Sequence, residues 1–72
     1  MNENLGSIEL IGKDKQAYTD GKMRYIYSFQ GFSGDFSKLP TYDDMAAGSS
    51  CLFLDNGTYA QYHAGTKTWY LI

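Results

Sequence analysis

The stretch CLFLDNGTYAQYHAGTKTWYLI, residues 51–72, decides the fold, because an Asn-Gly dipeptide stands between two apolar runs. Asn56-Gly57 in that setting is the strongest short-range signal for a β-hairpin, and it predicts a two-residue loop. Because side chains alternate along a strand, the loop also predicts which residues face one another. The expected opposed pairs are Phe53 with Ala60 and Cys51 with Tyr62 on one face, and Leu54 with Tyr59 and Leu52 with Gln61 on the other.

A second turn over residues 64–67 predicts a third strand, so that the carboxyl-terminal third forms a three-stranded meander. The expected neighbours are Trp69 with Tyr62, Leu71 with Ala60, and Ile72 with Tyr59. One face of this meander collects apolar side chains that pack favourably across the strands. The predicted core residues are Cys51, Phe53, Ala60, Tyr62, Trp69 and Leu71.

The opposite face of the predicted meander is apolar as well. A sheet with one solvated side would leave these side chains as a large patch in water, so we expect either the amino-terminal strands or another chain to cover it. Two tyrosines of an upstream strand are added as further candidates for contact with a partner. The candidate interface residues are Leu52, Leu54, Tyr59, Tyr70, Ile72, Tyr25 and Tyr27.

The amino-terminal half contains two further strand patterns. Residues 5–11 alternate moderately, and residues 23–29 alternate clearly, with Tyr25 and Tyr27 on the same side. The polar stretch between the two patterns, residues 12–22, ends in an Asp-Gly dipeptide and predicts a hairpin turn or a mobile loop.

Residues 30–40 contain two glycines and a proline, which predicts a surface loop. A short helical turn is expected near residues 41–47, with Thr41 as its N-cap and Gly48 as its stop. The predicted class is therefore mainly β, a small antiparallel sheet or partly open barrel that ends in the meander. Residues 1–72 form one small domain, and the order of the first 22 residues before binding is left open.

Length and charge restrict the possible functions. A 72-residue chain is close to the lower limit for a self-sufficient core, which favours oligomerisation or docking on a larger assembly. The formal charge is −2 and the six basic residues are scattered, so neither nucleic acid nor an anionic membrane is expected as a partner. Without a signal-peptide or transmembrane pattern, and with one cysteine, synthesis in a cytoplasm is expected.

Candidate chemical groups are few. His63 is the one histidine, and beside a glycine-containing turn it is interpreted as a polar residue at a strand end. Cys51 lies in an apolar run and is expected to be a buried, inert thiol. Asp43 and Asp44 lack the ligand spacing of a calcium loop, and residues 31–36 lack the lysine of a phosphate loop. The sequence therefore predicts no catalytic residue, no metal site, no cofactor and no enzymatic activity.

Aromatic residues make up 17% of the chain. Rings at strand spacing usually belong to a core or a protein interface, but they can also form a stacking platform for sugars. All three interpretations stay open for Tyr25, Tyr27, Tyr59, Tyr62, Trp69 and Tyr70.

The run KLPTYDDMAAGSSCLFLDNGTYAQYHAGTKTWYLI, residues 38–72, resembles a small β-module of virion proteins in tailed phages and prophages, including head-fibre and tail-fibre proteins. The shared order is Leu39-Pro40, a spacer, a Gly-Ser-Ser step, an apolar strand, Asp-x-Gly, a Tyr-containing strand, a turn and Trp69. The segment YSFQGFSGD, residues 27–35, resembles the lead into this module. Relatives often carry an aspartate where His63 stands and continue past the tryptophan with charged residues.

This resemblance implies a structural protein that attaches to capsid, head-fibre or tail components. The expected partners are phage structural proteins or further copies of the chain as a homo-oligomer, and the expected location is the virion after synthesis in the bacterial cytoplasm. Two alternatives stay open: a receptor-binding or glycan-binding module at a tail tip, and a small phage protein that inhibits a host protein.

Overall fold

The computed structural model describes residues 4–19 and 22–72, and its described strands form one open, mixed sheet. The strands are β1 (Glu9–Thr19), β2 (Lys22–Gly31), β3 (Ser50–Phe53), β4 (Tyr59–His63) and β5 (Thr68–Leu71). They lie side by side in chain order, with β1 and β5 at the two edges. The predicted mainly-β class is confirmed, but the sheet is neither purely antiparallel nor barrel-like, because β2 and β3 are parallel.

The first hairpin is longer than the sequence pattern predicts. Instead of a strand over residues 5–11 followed by a polar loop, β1 begins at Glu9 and continues into the polar stretch as far as Thr19. Polar residues are compatible with this edge strand because the Lys13 ammonium lies 4.5 Å from the centre of the Tyr25 ring. The predicted Asp20-Gly21 turn lies outside the described residues, although Thr19 and Lys22 on either side are paired.

The β3–β4 loop is the next correction. It contains five residues, 54–58, instead of the predicted two, and Cys51 pairs with Ala60 rather than with Tyr62. The reason is that Leu54 N donates to Gly31 O at 2.8 Å, so Leu54 extends the ladder with β2 and is not available to β4. The register differs from the prediction by two residues, an even number, and each strand side chain therefore keeps its predicted face.

The β4–β5 hairpin has the predicted register. Tyr62 pairs with Trp69, Ala60 pairs with Leu71, and the ladder continues past β5 with a 2.9 Å bond from Ile72 N to Tyr59 O. The four-residue turn over residues 64–67 ends with Lys67 in the left-handed region at φ 52°. The length of the turn over residues 64–67 thus fixes the register between β4 and β5, as the sequence predicts.

The helical turn is displaced from its predicted position. A 3-10 helix covers Ser33–Lys38, within the segment predicted as a surface loop, while residues 41–47 are not helical. Those residues instead lie beside β2, where Tyr25 N donates to Asp44 O and Ala46 N donates to Tyr25 O, both at 2.8 Å. Pairing with β2 thus outweighs the local capping pattern.

The connection between β2 and β3, residues 32–49, lies over one face of the sheet and is called the covering segment. Trp69 attaches it to the sheet, because its Nε1 donates to Pro40 O at 2.7 Å. The buried core cluster comprises Ile8, Tyr27, Phe29, Leu39, Met45, Cys51, Phe53, Ala60, Tyr62 and Trp69. Five of the six predicted core residues are confirmed. Leu71 is wrong as a core residue, because it lies at the end of the edge strand and is 60% exposed.

The Ser49 side chain replaces a missing backbone hydrogen-bond acceptor beside β2. Between the bridge at Tyr25 and the first pair of β3, Tyr27 N has no backbone carbonyl opposite it and instead donates to Ser49 Oγ at 3.0 Å. The same hydroxyl donates to Ala46 O at 2.8 Å. Ser49 is fully buried, so both bonds satisfy groups that water does not reach.

Candidate docking face

Five residues define what we call the outer face, the side of β3, β4 and β5 that lies opposite the core. Leu52 pairs with Tyr59, and Ile72 continues the same row through its bond to Tyr59 O. Tyr70 pairs with Gln61 one step along the strands. The members of the outer face are Leu52, Tyr59, Tyr70 and Ile72, with Leu54 in the adjoining loop.

The outer face is open to solvent in the described chain. Exposure is 51% for Leu54, 52% for Tyr59, 51% for Tyr70 and 76% for Ile72, and Leu52 is half-buried. Strands β1 and β2 extend the same sheet sideways, so they do not lie over this face. Of the two arrangements that the sequence left open, covering by the chain's own first strands is therefore wrong.

Tyr25 and Tyr27 do not belong to the outer face. Tyr27 is 5% exposed, and its hydroxyl donates to Asp44 Oδ1 at 2.7 Å. The pKa of Tyr27 is raised, mainly because the hydroxyl is buried and also because of its hydrogen bond to Asp44. Tyr25 is half-buried against the core cluster beneath Lys13. Tyr27 is thus wrong as an interface candidate, and Tyr25 lies on the core side of the sheet.

The electrostatic character of the outer face is neutral. Strands β3, β4 and β5 contain no Asp, Glu, Lys or Arg. The nearest polar side chains of the sheet are amides, since Gln30 pairs with Leu52 and Gln61 pairs with Tyr70, and the first carboxylate beyond them is that of Glu9 on β1, 3.3 Å from Gln30 Nε2. A partner at this face would therefore be held by apolar contact and by uncharged hydrogen bonds rather than by steering between charges.

One end of the outer face is ordered by a small polar cluster. Thr66 N donates to His63 Nδ1 at 3.2 Å, and Thr66 Oγ1 lies 3.0 Å from the same nitrogen and 3.3 Å from the Tyr70 hydroxyl. The His63 and Tyr70 rings also meet edge to face, with centroids 6.3 Å apart. His63 is thus the polar strand-end residue that the sequence predicts, and it helps to hold the Tyr70 ring in place.

The remaining chemical candidates have structural contacts. Cys51 is fully buried, and desolvation raises the pKa of its thiol to about 11, which makes it a poor nucleophile. Asp44 accepts from the Tyr27 hydroxyl and lies 3.9 Å from the Lys13 ammonium. Within residues 4–19 and 22–72, no three His, Cys, Asp or Glu side chains are grouped as a metal ion would require. The described helix is too short to cross a bilayer.

Two Asp–Ser clamps position the loops beside the sheet, and sequence reasoning missed both. Asp35 Oδ2 accepts from the N and Oγ of Ser7 at 2.8 and 2.7 Å. Asp55 accepts from the N and Oγ of Ser33 at 3.0 and 2.7 Å. Hydrogen bonds from these serines lower the pKa of both carboxyl groups. The partners are more than 20 residues apart and belong to no local motif, so no sequence signal links them.

The six aromatic residues considered as a sugar platform are divided between the two faces. Tyr27, Tyr62 and Trp69 are buried in the core, whereas Tyr59 and Tyr70 are exposed on the outer face. The Trp69 ring packs against Tyr62 with centroids 5.4 Å apart, inside the core. A shared stacking surface for all six rings is therefore wrong.

No family model, no curated protein and no solved structure matches this chain. The resemblance to the virion β-module stays a prediction. The geometry of the outer face is the observation on which a function can be proposed.

Proposed function

We propose that the protein is a structural accessory protein of a tailed-phage or prophage virion, which docks through its outer face on a capsid, head-fibre or tail component. The supporting observation is the open apolar outer face on a sheet whose other side is covered by residues 32–49 except at Leu71. Exposed side chains there include Leu54, Tyr59 and Ile72. Contiguous exposed apolar surface of this kind marks protein interaction sites.

The size of the outer face favours a repeated assembly over a single soluble partner. Full burial of one large apolar side chain contributes roughly 1.5–3 kcal/mol, so covering four half-exposed ones contributes about 3–6 kcal/mol. Association itself costs about 4–15 kcal/mol. One copy would bind weakly, whereas many copies on a symmetric particle gain from effective concentration. This estimate favours the virion role over the inhibition of one host protein.

The shape of the outer face favours protein over glycan. Its two exposed rings, Tyr59 and Tyr70, stand on a sheet surface among Leu52 and Ile72. Sugar sites combine a ring with several convergent polar groups in a concave site. The Tyr70 hydroxyl instead lies 3.3 Å from Thr66 of its own chain. A protein surface is the better complement to this arrangement.

Mass spectrometry of purified particles from a strain that carries this gene tests the proposal. We expect the polypeptide in the particles in many copies, and its absence from intact particles would contradict the virion role. The double variant Tyr59→Ser, Ile72→Ser should be made and folded but lost from the particles. The matched control is Phe32→Ser, because Phe32 is 52% exposed but lies in the covering segment, outside the outer face.

A further inference from the structure

We propose that two copies of this chain pair through β5, antiparallel and about a two-fold axis at Tyr70, into one continuous ten-stranded sheet. The inference concerns the edge of the sheet rather than the outer face. It holds or fails whether or not the protein is a virion component, because its test needs the purified chain alone.

The two edges of the sheet differ in their protection against such pairing. The β1 edge carries alternating charges, including Lys13, Asp14 and Lys15, and its register shifts between Leu10 and Gly12. Charges and bulges are the devices that keep edge strands from pairing with other chains. The β5 edge has neither, because Thr68–Leu71 is uncharged and pairs with β4 without a shift.

The backbone of β5 shows which groups are offered at this edge. Ile72 N bonds to Tyr59 O, so the backbone groups of Ile72 are directed towards β4. Because these groups alternate in direction along a strand, Tyr70 and Thr68 also face β4, while the N–H and C=O groups of Trp69 and Leu71 face away from it. Among the described residues, no further strand lies on that side.

One symmetric register uses all of these groups. If Trp69 stands opposite Leu71 of the second copy, two such pairs form and each contributes two backbone hydrogen bonds. A register centred on Trp69 or on Leu71 would use half of them. The favoured register places Tyr70 of both copies opposite each other at the axis, in a pair without direct backbone bonds, where side chains approach most closely.

The same register covers three side chains that the single chain leaves open. On the core side, Leu71, which is 60% exposed, packs against Trp69 of the second copy. On the outer face, Tyr70 meets Tyr70 of the second copy and Ile72 lies opposite Thr68 of the second copy. Leu71 lies on the core-facing side of β5, across from the fully buried Ala60, so the sheet ends at β5 with a core residue left uncovered. A second copy continues this core, as in interfaces that resemble a divided domain core.

The occupant is a second copy because the strand complements itself. No charged side chain lies between Thr68 and Ile72, so pairing the strand with itself brings no like charges together. The two outward-facing residues, Trp69 and Leu71, satisfy each other's backbone groups when the strand is reversed. The two outer faces then join into one apolar surface about the axis.

Sedimentation velocity of the full chain over a concentration series tests the proposal, and we expect a monomer–dimer equilibrium. Tyr70→Lys and Tyr70→Glu should each shift the chain to monomer, since two like charges would face each other at the axis. A one-to-one mixture of the two variants should restore the dimer, because Lys then faces Glu. Ile11→Lys, on the β1 edge, should leave the equilibrium unchanged.

A cysteine variant keeps the proposal falsifiable if the charged variants unfold. Tyr70→Cys should form a disulfide-linked dimer on mild oxidation, since paired residues of this type have Cβ atoms about 4.5–5.5 Å apart. Cys51 is fully buried and does not compete. Three outcomes would each overturn the proposal. The wild-type chain could stay monomeric at all concentrations, or the mixture of charged variants could stay monomeric although both variants fold. The third outcome is a dimer that is lost in Tyr59→Ser but kept in Tyr70→Lys.

Discussion

The core side and the outer face of the meander carry similar apolar side chains, but only one of them is covered. On the core side, the covering segment is fastened to the sheet by the bond from Trp69 Nε1 to Pro40 O and by the bond from Tyr27 N to Ser49 Oγ. On the outer face, Tyr59 and Ile72 lie in the same ladder and more than half of each side chain is exposed. The difference arises because parallel β2 and β3 require a crossing connection, and that connection can lie over one side only.

The largest difference in the free energy of unfolding should appear when Phe53, on the core side, and its neighbour Leu54, on the outer face, are each replaced by alanine. Phe53 is fully buried and meets Phe36 edge to face at 6.2 Å, so Phe53→Ala should cost about 3–5 kcal/mol. That is a large part of the roughly 4–11 kcal/mol expected for a domain of this length. The next residue supplies the control, since Leu54→Ala should change the free energy of unfolding by less than about 0.5 kcal/mol. Urea denaturation of both variants measures the contrast, and equal losses would contradict it.

Gly31→Ala should destabilise the end of β2 by about 1–3 kcal/mol. A Cβ at Gly31 would lie 2.7 Å from Ile8 Cδ1 and 3.0 Å from the Ile8 Cα, which belongs to the backbone and cannot move aside cheaply. Gly34→Ala is the matched control, because outside its own stretch of chain no atom lies within 4 Å of the added carbon. Thermal unfolding followed by circular dichroism compares the two, and an unchanged midpoint for Gly31→Ala would show that this close approach is not needed.

Ser49→Ala should cost about 1–3 kcal/mol, because the N–H of Tyr27 would lose its acceptor in the interior. The loss should fall on the attachment of the covering segment, so the amide of Tyr27 should exchange its hydrogen faster. Ser37→Ala, at an exposed position of the 3-10 helix, should leave both quantities near their wild-type values. If the Tyr27 amide still exchanges slowly in Ser49→Ala, the Ser49 hydroxyl is not the acceptor that protects it.

Acid should loosen the loops that the Asp–Ser clamps hold. The pKa values of Asp35 and Asp55 are lowered in the folded chain from the ordinary value of 3.8, chiefly by hydrogen bonds from Ser7 and Ser33. Their stabilisation is therefore present above the unfolded-state pKa and is lost as the pH falls through the folded-state values. Unfolding midpoints measured from pH 7 to pH 2.5 should drop at the acidic end. In the double variant Asp35→Asn, Asp55→Asn the unfolding midpoint should fall less between pH 7 and pH 2.5. An equal fall in the variant and the wild type would show that the two Asp–Ser clamps do not contribute to the acid sensitivity.

The comparison of the two sides also shows what the sequence can predict. Alternation in β4 and β5, together with a four-residue turn, was enough to predict that Tyr62 pairs with Trp69. It also assigned Cys51 and Phe53 to the core and Tyr59 to the opposite side, since an even shift of register preserves the faces. These features are local or periodic, and a sequence displays them directly.

The features that the sequence did not predict depend on contacts between distant segments. Leu54 leaves the β3–β4 hairpin to bond with Gly31, and the pairing of residues 44 and 46 with Tyr25 replaces the expected helical turn. Leu71 has the right periodicity for the core, but its exposure is decided by the edge position of β5. No residue pattern within a short window encodes such neighbours.

Hydroxyl-radical footprinting of the free chain and of purified particles tests the outer face most directly. Tyr59 should be oxidised readily in the free chain and protected in the particle, while Phe32 in the covering segment should react alike in both, since the two are equally exposed at 52%. Protection of Tyr59 with continued reactivity of Phe32 is the predicted result. Continued reactivity of Tyr59 in particles that contain the chain would contradict docking through the outer face.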